Sequence, residues 1–101
     1  MNKATRTKIT NAIQRCNSYM QELWDLEDRN KTNAALCKRA EAALDKLRDY
    51  LCEDEEGEFD WTDDTIYELS CAIRDHEHRA GIKRVKQALK QHRIVHSGVA
   101  A

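Results

Sequence analysis

Apolar residues recur twice in the first half of the chain at steps of four, three, four and three, and this rhythm constrains the fold more than any other feature. Ile9, Ile13, Cys16, Met20 and Leu23 form the first series, and Leu36, Ala40, Ala43, Leu47 and Tyr50 form the second, which Leu44 and Leu51 widen. Steps of three and four place side chains on one face of an α-helix, whereas a strand would need alternation. Between the two series, Asp28-Arg29-Asn30-Lys31-Thr32-Asn33 is rich in turn and cap formers, with Thr32 as the expected N-cap of the second helix. Two matching seams joined by a short turn read as an antiparallel helical hairpin.

The composition agrees with this reading. There is no proline and only three glycines, so little interrupts a helix, and strands have few residues to be built from. Thr62 followed by Asp63 and Asp64 reads as a helix start, because a hydroxyl cap and early acids suit the unpaired N–H groups of a first turn. Ile66, Leu69, Ile73 and Ala80 continue that helix. The apolar phase slips at Gly81, where a break or kink is expected, and Ile82, Val85 and Leu89 open a new stripe.

The expected fold is therefore all-α: a hairpin plus one or two C-terminal helices in a small bundle. One domain is expected over residues 1–96, with a flexible tail at 97–101. Aromatic residues make up only 6% of the chain, so its core should be thin and a homodimer is an option.

Charge is distributed unevenly. The formal net charge is −1, yet the first 21 residues hold no acid, and none follows Glu77. Eight acids and no basic residue lie between Glu53 and Asp64. These regions are expected to offset one another within one chain or across a dimer. Left unoffset, the segment Glu53, Asp54, Glu55, Glu56, Glu58, Phe59, Asp60 and Trp61 offers an aromatic pair rimmed by carboxylates. It would suit a protein partner whose basic site ordinarily holds phosphates, which makes the first expectation a non-enzymatic interaction module, such as a small regulator or inhibitor.

The alternative is a nucleic-acid-binding accessory protein. Lys83, Lys86, Lys90 and Arg93 fall within about 80° of one another on a helix, and Arg79 joins them if the helix is continuous. A helix-turn-helix centred on Gly81 fails, because its inward positions would be His76, Glu77, Gln87 and Lys90.

No catalytic apparatus is legible. His92 and His96 stand four apart, a spacing at which imidazoles can share a metal, but the residues between them include no acid and the chain has no CxxC pair. Cys71 and His76, five apart, lie on different faces of a helix. Neither a metal nor another cofactor is expected. Cys16, Cys37, Cys52 and Cys71 read as reduced thiols in a cytoplasmic protein. No apolar run suits a signal peptide or a membrane span.

Overall fold

The computed structural model describes the backbone over residues 2–100 and the side chains over 2–92. Three α-helices make up the architecture, and no strand occurs among the described residues: α1 is Lys3–Asp28, α2 is Ala34–Leu51 and α3 is Asp63–Ala100, preceded by a 3₁₀ turn at Asp60–Thr62.

Both hairpin seams face the core, the second ending in Tyr50 and Leu51, which are half-buried against it. Ile9, Ile13, Cys16, Met20 and Leu23 face Leu36, Cys37, Ala40, Ala43, Leu44 and Leu47, all of them buried. The Cys16 thiol donates to the Ala43 carbonyl at 3.5 Å, which shows how closely α1 and α2 approach. Burial pushes that thiol up to about 11, partly opposed by Arg15, and all four cysteines are free.

α1 ends with Asn30 in the left-handed region (φ 53°) and the Lys31 N–H bonded to the Leu26 carbonyl at 2.8 Å. The cap of α2 is Asn33, one residue beyond the expected Thr32. Asn33 is extended, and its side chain accepts from the Leu36 N–H at 3.1 Å.

α3 runs antiparallel to α2 and alongside α1. Near its start, Glu58 meets Arg6; further along, Ser70 accepts from Arg48; at the hairpin tip, His76 meets Asn33 and Lys83 meets Asn30. Leu69, Ala72 and Ile73 are buried against the hairpin.

The expected break at Gly81 is absent, and the C-terminal region is one helix. A glycine inside a helix costs about 1 kcal/mol relative to alanine, which does not by itself stop one. The phase slip has another cause. At 100° per residue, Ile82, Val85 and Leu89 lie on the side of α3 opposite Leu69, Ala72 and Ile73. The helix continues, and the apolar face changes sides. Beyond Lys83, α3 projects past the hairpin tip, giving a molecule of 72 × 22 × 17 Å with a radius of gyration of 19.3 Å. A compact chain of this length would have about 13 Å. The expected tail at 97–101 falls where side chains are not described, although the backbone is helical through Ala100.

Candidate functional site

The acidic segment is a structured connection between α2 and α3. Asp54 organises it by accepting from the N–H groups of Glu58 (3.0 Å) and Phe59 (2.8 Å). Gly57 sits at φ 69°, where a side chain would be strained, and a Cβ there would come within 3.0 Å of the Asp60 carboxylate. The Thr62 hydroxyl is buried and donates to the Phe59 carbonyl at 2.8 Å.

Basic residues of α1 answer part of the charge. Arg6 pairs with Glu58 at 3.0 Å and Lys8 with Glu53 at 3.8 Å, while Lys8 also lies over the Tyr50 ring. Exposed pairs of this kind contribute about 0–1 kcal/mol each, so they orient the segment more than they stabilise the fold. The expected offset of the basic N-terminus against the acidic loop occurs within one chain, at these two pairs.

The eight sequence candidates therefore divide. Glu53, Asp54 and Glu58 are engaged within the fold. Phe59 is 9% exposed and belongs to the core, so it is no contact surface. Glu55, Glu56 and Asp60 are exposed, and Trp61 is 60% exposed with its ring 6.2 Å from that of Phe59. What this segment turns outward is Trp61, beside the core aromatic Phe59, and the carboxylates of Glu55, Glu56 and Asp60.

The basic stripe divides too. Arg79 donates to the Lys31 carbonyl at 3.4 Å, and Lys83 donates to the Asn30 carbonyl. Both cations sit at the carbonyl end of α1, where the helix dipole favours positive charge. Lys86 and Lys90 are exposed on the projecting part of α3, as is Arg84, whereas the Arg93 side chain lies outside the described residues.

His76 is tied into the same hairpin tip and is only 2% exposed. Its Nε2 accepts from the Asn33 N–H at 2.8 Å, which leaves the ring proton on Nδ1, where it has no partner. Burial, followed by the positive charges of Arg79 and Lys83 and opposed by Glu77, holds its pKa below the ordinary 6.5.

One grouping has only half a signal in the sequence. Cys37 and Glu41, four apart on α2, meet Glu77 of α3 with one potential ligand atom each, all within 4.8 Å of one another. A thiol and two carboxylates are a donor set that zinc accepts. The adjacent Glu77 carboxyl, and then burial, hold the Glu41 carboxyl above its ordinary value. Lys38 and Arg84 line the same cleft of about 310 Å³ and work against a cation there.

No helix among the described residues is long and apolar enough to cross a membrane. No protein-family model, curated protein or solved structure matches the chain.

Proposed function

We propose that the protein is a non-enzymatic interaction module that docks on a protein partner through its acidic end, as a small regulator or inhibitor of a nucleic-acid-handling protein. The observation that carries this reading is Trp61, 60% exposed in a segment that Asp54, Arg6 and the buried Phe59 hold in place. A large aromatic fixed before binding loses little conformational freedom on docking, and tryptophan is among the residues that dominate interface energetics. Glu55, Glu56 and Asp60 around it would meet a basic surface, steering encounter and selecting against acidic partners.

The test is capture from a nuclease-treated extract of the cells that make the protein, comparing wild type with Trp61→Ala and with Glu55→Gln/Glu56→Gln/Asp60→Asn. All four side chains are exposed, so both variants should keep the helical circular dichroism of the wild type. Recovery of the partner is expected to fall about tenfold or more, matching a loss above about 1.4 kcal/mol. Equal recovery by all three proteins would reject the acidic end as the docking surface.

A second reading has its own support. The projecting part of α3 carries exposed Lys86 and Lys90 on one face, with no acid after Glu77, which suits a phosphate backbone.

A further inference from the structure

α3 carries a second stripe that the hairpin does not cover. Tyr67, Cys71, His78, Ile82, Val85 and Leu89 lie within about 60° of one another, on the side of α3 opposite its core face. Tyr67 is 71% exposed, Ile82 41%, Val85 59% and Leu89 56%. The stripe extends over about 33 Å of helix at 1.5 Å per residue. It continues through Arg74, whose aliphatic stem can cover apolar surface while its charge stays in water.

The stripe is symmetric about His78. Arg74 and Ile82 lie four residues to either side of it, Cys71 and Val85 seven, and Tyr67 and Leu89 eleven. We infer that the occupant of this face is a second copy of the chain, with the two α3 helices packed antiparallel about a two-fold axis at His78. In that register Tyr67 meets Leu89 of the second copy, Cys71 meets Val85, and Arg74 meets Ile82. Each pair occurs twice, as an isologous interface requires.

Charge selects the same orientation. α3 is acidic at its start and basic beyond Glu77, and Glu68, Lys86 and Lys90 share one flank of the stripe. In an antiparallel pair with two-fold symmetry, like flanks face each other, which brings Glu68 level with the span between Lys86 and Lys90 of the second copy. A parallel pair would set acidic start beside acidic start and basic end beside basic end. The hairpins lie on the outer sides of the pair and do not obstruct it. This surface is separate from Trp61 and its three carboxylates, and the inference does not depend on the function proposed above.

The test combines mass and cross-linking. At about 100 μM, since association depends on concentration, light scattering should give twice the chain mass of 11.7 kDa. Val85→Glu/Leu89→Glu should give the single-chain mass with helical circular dichroism retained, because neither side chain packs on the hairpin. In a chain carrying Cys52→Ser and Cys71→Ser, His78→Cys should form a disulfide-linked dimer on mild oxidation, and Leu89→Cys should not link to itself. A single-chain mass for the wild type, a dimer that survives the double glutamate variant, or self-linking of Leu89→Cys would each overturn the inference.

Discussion

Leu69→Ala is expected to lower the unfolding free energy by about 2–5 kcal/mol, the range for removing a fully buried leucine. Leu69 is 0% exposed and lies in the cluster shared by all three helices. Among the described residues the core is made of leucines, isoleucines, alanines and cysteines with Met20 and Phe59, so few large neighbours can close the cavity. A chain of this size has a stability near the low end of about 5–15 kcal/mol, and the loss is a large part of it. Urea unfolding followed by far-UV circular dichroism measures the change. A loss below about 1 kcal/mol would mean that α3 does not depend on this contact with the hairpin.

The second large effect is expected at His76, where His76→Ala should destabilise by about 3 kcal/mol or more. The substitution opens a cavity and strips the Asn33 N–H of its acceptor. pH provides a further readout. The folded-state pKa lies below the 6.5 of a free histidine, so above that value both folded and unfolded states are neutral and stability is full. As pH falls below 6.5, the unfolded chain takes up a proton that the buried ring resists, and stability declines until the pH reaches the folded-state value. His76→Gln, which retains an acceptor but does not titrate, should flatten this decline. Parallel pH profiles for wild type and His76→Gln would show that the ring is not held neutral by its burial at the hairpin tip.

Both hairpin seams were legible because steps of three and four report directly which residues share a face, and every member of the first series is buried. The third helix was legible at its start and illegible at its middle. The shift from Leu69 and Ile73 to Ile82, Val85 and Leu89 shows in sequence that a new stripe opens, but a break at Gly81 and one unbroken helix whose apolar face changes sides give the same slip in phase. Arg79 and Lys83 fit a basic stripe by spacing alone. Their bonds to the carbonyls of Lys31 and Asn30 depend on where the hairpin tip meets α3, which local pattern does not encode. Phe59 illustrates the same limit: its acidic neighbours suggest a surface, yet the turn at Gly57 directs it into the core. The Cys37, Glu41 and Glu77 grouping draws two residues from a visible helical spacing and the third from another helix.

The role proposed for the acidic end is tested most directly by photocross-linking inside the cells that make the protein, with p-benzoylphenylalanine placed at Trp61, at Lys90 or at the exposed control position Lys46. Adducts to another protein are expected from position 61 and not from 46. Adducts confined to position 90 and made with nucleic acid, with none from 61, would contradict the acidic docking surface and establish the projecting part of α3 as the binding element.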